Sequence, residues 1–163
     1  MALDQLRDAL IEEMRDIYDA EHRIADALPK MRDKASNPKL SDAFGKHLGE
    51  TAGQIERLER AFEALGEKPK RETCEATKGL IEEGEELMGK KADDEVMDAL
   101  LIGAAQKVEH YEIASYGTLC AWAEQLGLDK VHDLLGKTLE QEETTDEDLK
   151  KIALTEVNEA AAA

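Results

Sequence analysis

Residues 107–119 read KVEHYEIASYGTL, and the fold turns on what Glu109 and Glu112 are doing there. The stretch lies inside a long apolar run, Met97 to Leu126, with the pattern of a buried helix. A charge taken out of water needs a counter-charge, a proton or a metal, because burial without one is expensive. Two carboxylates one turn apart on a core helix therefore require something opposite them, supplied by the rest of the chain.

Helical spacing extends on both sides of this stretch. Leu3, Leu6, Leu10, Met14, Ile17, Ile24, Leu28 and Met31 predict a first helix of about thirty residues, which tolerates Pro29 or bends there. Ser36-Asn37-Pro38 is a turn, and Leu40, Phe44, His47, Leu58, Phe62 and Leu65 carry a second helix to Gly66. So short a break makes the two antiparallel neighbours. Residues 66–92 read as a crossover with a shorter helical piece around 73–88. A third helix is expected from about Asp94 to Leu126 and a fourth from Gly127-Leu128-Asp129 to about Leu154, with 158–163 frayed. The reading is one all-α domain over 1–157, a four-helix bundle of two antiparallel pairs with a short extra helix in the crossover.

Composition agrees and removes several function classes. Aromatic residues are 4% of the chain against 42% hydrophobic overall, and there are three prolines, which is helix-forming material. Acidic residues outnumber basic ones 38 to 21, a net charge of -17, so the basic footprint of a nucleic-acid binder is missing. No apolar run approaches the ~20 residues of a membrane span. The charged, amphipathic start from Asp4 does not resemble a signal peptide, so the cytoplasm is expected. Cys74 and Cys120 lack C-x-x-C spacing and read as reduced thiols, and Glu82-Glu83-Gly84-Glu85-Glu86 as a solvated face.

The polar residues that break the apolar stripes carry the functional signal. Glu21 is the charged residue in the stripe 10, 14, 17, 21, 24, 28, 31 of the first helix. On the second, His47 points inward with Glu50 one turn further on, about 60° around. The third helix has a stripe of Ile102, Ala105, Glu109, Glu112, Tyr116, Leu119 and Ala123. The fourth has Val131, Leu135, Thr138, Glu142, Thr145, Leu149 and Ile152, with Asp146 bordering it.

Glu112 and Glu142 each lie about fifteen residues from the Gly127 turn, hence at one level, whereas Glu21 and the His47/Glu50 pair are offset by roughly 5 to 9 Å. Ala20-Glu21-His22-Arg23-Ile24-Ala25 and Val108-Glu109-His110-Tyr111-Glu112-Ile113-Ala114 also echo each other, a weak pseudo-repeat across the crossover. Carboxylates and an imidazole converging from four helices are how ferritin-like di-iron and di-manganese sites are built.

Each residue alone has a plainer account. Glu21 could pair with Arg23 or Lys30, His47 could be a satisfied core histidine, Glu109 and Glu112 could bond Tyr111, Tyr116 or a lysine, and Glu142 could belong to the acidic run 140–148. A metal explains them together. His22 and His110 point some 100° away from the adjacent ligands and are expected outside the site; Asp146 is a candidate extra ligand, and Tyr18 and Tyr116 are packing residues or donors beside it.

Tyr18-Asp19-Ala20-Glu21, Ala27-Leu28-Pro29-Lys30, His47-Leu48-Gly49-Glu50-Thr51, Gly79-Leu80-Ile81-Glu82-Glu83, Lys107 to Leu119, and Thr138-Leu139 followed by Glu142 and Thr145-Asp146 resemble the YciF-like group of ferritin-like bacterial proteins associated with stress responses. The resemblance spans nearly the whole chain. It implies a ferritin-like bundle, a dinuclear metal centre, cytoplasmic location and a homodimer, and it supports Glu21, His47, Glu50, Glu109, Glu112 and Glu142 as metal ligands. The chain departs from the wider ferritin-like pattern of Glu-x-x-His on the second and fourth helices, reading His47-x-x-Glu50 and Glu142-x-x-Thr145 instead.

The leading expectation is a ferritin-like protein that binds two iron or manganese ions in stress protection. The alternative is a non-catalytic stress protein whose bundle is an interaction or dimer scaffold, with a structural metal or none. Cage-type iron storage would need a shell that nothing in the sequence specifies.

Overall fold

A computed structural model describes residues 3–163, so the expected domain start at residue 1 lies outside the described residues. The helices are α1 (Leu6–Lys34), α2 (Pro38–Ala64), α3 (Glu75–Met88), α4 (Asp94–Gln125), α5 (Asp129–Ile152) and α6 (Asn158–Ala162). Beyond α5 a π-helical turn, Ala153–Val157, leads into the short α6. The bundle is α1, α2, α4 and α5: α1 packs on α2, α4 on α5, α2 on α5 and α1 on α4. The crossover helix α3 lies across α1 and α4.

Local chemistry sets the ends. Asn37 caps α2 by accepting from the backbone N–H of Lys39 (2.9 Å) and Leu40 (3.2 Å), with Pro38 at the first helical position, where its missing N–H costs nothing. Both pairs' other turns use one device. Gly66 (φ 71°) and Gly127 (φ 65°) take the left-handed conformation, and the residues after them, Glu67 and Leu128, donate back to Phe62 and Ala123 at 2.9 Å. Pro29 sits inside α1 without ending it.

Two tertiary anchors hold the connections. Asp98 on α4, almost fully buried, accepts from Ser36 N and Asn37 N (both 2.8 Å) and from Ser36 Oγ, tying the α1–α2 turn to the second helix pair. Asp98→Ala strands those donors and is expected to cost about 3 kcal/mol, read as a lower urea midpoint at unchanged slope. Asp19 on α1 binds Arg23, Arg71 Nε and the Cys74 N–H (both of the latter at 2.9 Å), fastening the crossover. Although burial works against it, these partners hold the Asp19 carboxyl below its usual range.

The apolar core comes in two pieces. One cluster, including Leu10, Met14, Leu58, Phe62, Leu119 and Leu135, fills one end of the bundle. The other, including Ile24, Leu28, Leu40, Phe44, Leu101 and Leu149, fills the opposite end. Side chains of this size each contribute roughly 1.5–3 kcal/mol when fully buried. Between the clusters along the four helices lies a buried polar layer: Glu21, His47, Thr51, Gln54, Glu109, Glu112, Thr138 and Glu142.

Candidate metal centre

The layer is built one helix at a time, and each wall follows from helical periodicity. α4 places Glu109 and Glu112 on one face because a three-residue step of about 300° returns to within about 60° of the starting direction. α5 brings in Glu142 and α2 brings His47. One ligand atom from each of His47, Glu109, Glu112 and Glu142 can be chosen so that all lie within 4.8 Å of one another. His47 Nε2 is 3.1 Å from Glu109 Oε1 and 3.8 Å from Glu142 Oε2. These four are buried and could hold a metal ion.

Glu21 and Glu50 stand at the edges. Glu21, fully buried on α1, accepts a hydrogen bond from the Tyr116 hydroxyl on α4 and leaves Oε2 without a partner. It is not among the four residues whose ligand atoms lie within 4.8 Å of one another. Glu50 is half-buried, with Oε2 3.8 Å from His47 Nδ1 and Oε1 3.6 Å from Lys46 Nζ.

Several of the plainer pairings open to these residues are taken up elsewhere. Arg23 is taken by Asp19 and Lys30 by Glu85 (2.6 Å), so neither pairs with Glu21. Tyr111 donates to Asp16 (2.6 Å) and Tyr116 to Glu21, so neither serves Glu112. Glu142 is 0% exposed, which removes it from the solvated acidic run. Both oxygens of Glu112, both nitrogens of His47, Glu109 Oε2, Glu142 Oε2 and Glu21 Oε2 are buried without a hydrogen-bond partner. Buried polar atoms left unpaired in such numbers are rare in native proteins, and a metal ion held by one atom from each of His47, Glu109, Glu112 and Glu142 could satisfy several of them.

Electrostatics describe the cost of leaving them together. Burial, then Glu142, Glu21 and Glu109, push the Glu112 carboxyl well above the usual carboxylate range. Glu142 is raised to about 10 by burial and by contact with the Glu109 carboxyl. Glu21 is raised to about 7 by burial, with the Tyr116 hydrogen bond and His47 pulling the other way. Burial pushes the His47 imidazole down, but Glu109, Glu50 and Glu142 outweigh it and raise it well above its ordinary value. Contact with His47 lowers Glu50.

Other expectations resolve plainly. Asp146 is occupied by His110 Nε2 (3.2 Å) and Gln106 Nε2 (3.1 Å), so it does not join the four. His110 is largely exposed, and His22 packs edge-on to Tyr18 at 4.7 Å. Tyr18 donates to Glu59 at 2.8 Å. Cys74 and Cys120 are both free thiols.

Gln54 is the residue the sequence reading passed over. It is fully buried one turn beyond Thr51 on α2, and its amide donates to Glu142. Arg57, one turn further on, donates to Thr138 Oγ1 (3.0 Å) and Gln141 Oε1 (2.8 Å), bracing α5 behind Glu142. Position 54 falls on the same helical walk as His47, which was the available signal.

A family model described as "Domain of unknown function (DUF892)" matches residues 5–162. Protein YciF of Escherichia coli is 49% identical over 162 residues, covering 99% of this chain and 98% of that protein. The chain belongs to the YciF-like family. The crystal structure of the Escherichia coli stress protein YciF superposes with a TM-score of 0.91, covering 95% of this chain and 98% of that one. YcfI of Rhodopseudomonas palustris superposes at 0.89 with 47% identity, covering 91% and 94%. A two-domain Anabaena variabilis protein containing a ferritin-like domain matches at 0.63 with 19% identity, over 95% of this chain and 38% of that one, a likeness of fold. The YciF-like chain is thus an all-α, ferritin-like bundle with a buried His/Glu cluster at mid-height. Among the described residues no helix is long and apolar enough to cross a membrane.

Proposed function

We propose that this YciF-like protein binds two iron or manganese ions at the mid-bundle layer and serves in stress protection. The observation that carries the proposal is the set of buried, unpartnered ligand atoms on His47, Glu109, Glu112 and Glu142, with Glu21 and Glu50 beside them. Carboxylates with one imidazole suit hard or borderline divalent ions such as Mn(II) and Fe(II). His47, Glu109, Glu112 and Glu142 would hold the first ion, and Glu21 and Glu50 would extend the set toward a second. When bound, such a pair supplies redox chemistry toward dioxygen or peroxide.

The protein's own contribution is positioning. Gln54 orients Glu142 through its amide, and the Tyr116 hydroxyl fixes one oxygen of Glu21 so that the other faces the layer. The apolar clusters on either side keep bulk water out. The stress role is supported by the likeness to the Escherichia coli stress protein YciF, and cytoplasmic location and a homodimer belong to the same proposal.

The test is anaerobic Fe(II) and Mn(II) titration at neutral pH followed by metal analysis. About two ions per chain are expected, with Glu142→Ala abolishing binding and Glu21→Ala reducing it by at least about one ion. A chain that remains metal-free sinks the proposal. Metal that raises the melting temperature without any consumption of dioxygen or peroxide would favour the scaffold reading.

A further inference from the structure

A cavity with a largely apolar lining reaches residues of the polar layer, His47 and Glu109. It lies between α1, α3 and α4, is narrow, with a cavity volume of ≈ 40 Å³, and is lined by side chains such as Leu28, Met31, Leu80, Met88 and Val108. At its floor are His47 and Glu109, each only 2% exposed and each with an unpartnered polar atom. At its rim are Lys30 and Glu85, an exposed ion pair at 2.6 Å. Polar groups thus sit at the two ends, with apolar wall between them.

The gap has a cause in sequence. Where α3 crosses the bundle, it and its neighbours present Gly84, Ala27, Ala104 and Ala105 to the space, residues too small to fill it. A Cβ built on Gly84 would stand 3.8 Å from Ala104 Cβ, ordinary contact distance, so a larger side chain there would grow into the opening without backbone strain.

What can cross an apolar passage is set by desolvation. A hydrated cation or a strongly hydrogen-bonded molecule such as hydrogen peroxide would have to shed water with nothing in the wall to replace it. A small neutral apolar molecule loses nothing, and dry apolar cavities take up such gases readily. We infer that this cavity beneath α3 is the entrance for dioxygen to the His47/Glu109 side of the layer, and that it selects dioxygen over peroxide. The inference rests on the metal-binding reading and names the oxidant that reading leaves open.

The first test needs no metal. Xenon pressure on the metal-free protein, followed by methionine-methyl NMR, is expected to shift Met31 and Met88, which line the cavity, and to leave Met14 and Met97 in place. Gly84→Leu should abolish the shift; the change also improves helix propensity, so the variant keeps its fold. No xenon response in the wild type overturns the inference.

In the second test, both proteins are loaded with Fe(II) under nitrogen and mixed with dioxygen or with peroxide. Gly84→Leu is expected to slow iron oxidation by dioxygen about tenfold, about 1.4 kcal/mol of added barrier, and to leave the peroxide rate unchanged. Equal slowing by both oxidants overturns the selectivity, and an unchanged dioxygen rate overturns the entrance while the metal reading stands. Absence of iron binding in both proteins overturns the metal reading and this one with it, whatever xenon shows.

Discussion

Saturating the metal-free protein with Fe(II) under nitrogen at pH 7 is expected to raise its melting temperature by about 10 °C, and a chelator should reverse the rise. Ligand present at about a thousand times its dissociation constant stabilises by about 4 kcal/mol. A domain of this size gains about 2–4 °C per kcal/mol. The large response follows from the state being relieved, in which His47 and a group of acids face one another with their outer atoms unpartnered.

The pH dependence of the metal-free protein carries the same information with a definite sign. Glu21, Glu112 and Glu142 have folded-state values raised above the ordinary 4.5. Each therefore contributes stability that is complete below its unfolded value and is lost as pH rises through its folded one. For Glu21 that window runs from 4.5 to about 7, and for Glu142 it extends to about 10. His47, also raised, acts in the same direction. Metal-free protein should thus melt higher at pH 5 than at pH 8. Loaded protein should show the opposite slope, because ligands must lose protons to bind and acid displaces the metal. Loading at pH 7 should release protons, visible with an indicator dye in weak buffer. If the metal-free profile falls as described but neither Fe(II) nor Mn(II) moves the melting temperature, the acids are held by protons alone and the metal reading is wrong.

How far the sequence reveals this depends on whether a feature is periodic or tertiary. The helices were legible because apolar residues recur at helical spacing and because Asn37-Pro38, Gly66 and Gly127 mark their ends. Glu109 and Glu112 were legible as a pair because they share the stripe of a helix that is otherwise apolar. Glu21 was legible as the charged residue in the apolar stripe of the first helix, and it is fully buried, with one oxygen accepting from Tyr116.

Asp19 and Asp98 were not. Both are buried acids, but their partners come from distant segments, Arg71 and Cys74 in one case and Ser36 and Asn37 in the other, so no local pattern announces them. Asp146, only a candidate extra ligand in the sequence, depends on a facing helix in the same way. It borders the core stripe, yet His110 and Gln106 on the facing helix occupy it. Gln54 was missed because an uncharged amide costs less to bury than a carboxylate and so stands out less on an apolar face, even though it sits on the stripe that carries His47.

Glu112→Gln separates the two roles of the buried acids, cost and ligation, because it should move them in opposite directions. Glu112 is 0% exposed and neither of its oxygens has a hydrogen-bond partner, so in metal-free protein it is a burden whenever it ionises. Glutamine keeps the shape, cannot ionise, and can donate its amide to the neighbouring carboxylates. At pH 8 the metal-free variant is expected to be more stable than wild type by about 1–3 kcal/mol, a rise of about 3–10 °C in melting temperature. At pH 5 the two should converge, since the wild-type carboxyl is then protonated and equally neutral. The metal-induced rise should nearly vanish at both pH values, because a neutral amide is a far poorer ligand for a hard cation. Glu140→Gln, an exposed acid on the same turn of α5 as Glu142, controls for net charge and should change neither quantity. A metal-free Glu112→Gln protein that is less stable than wild type at pH 8, with a parallel pH profile, would show that Glu112 is supported by contacts other than a cation.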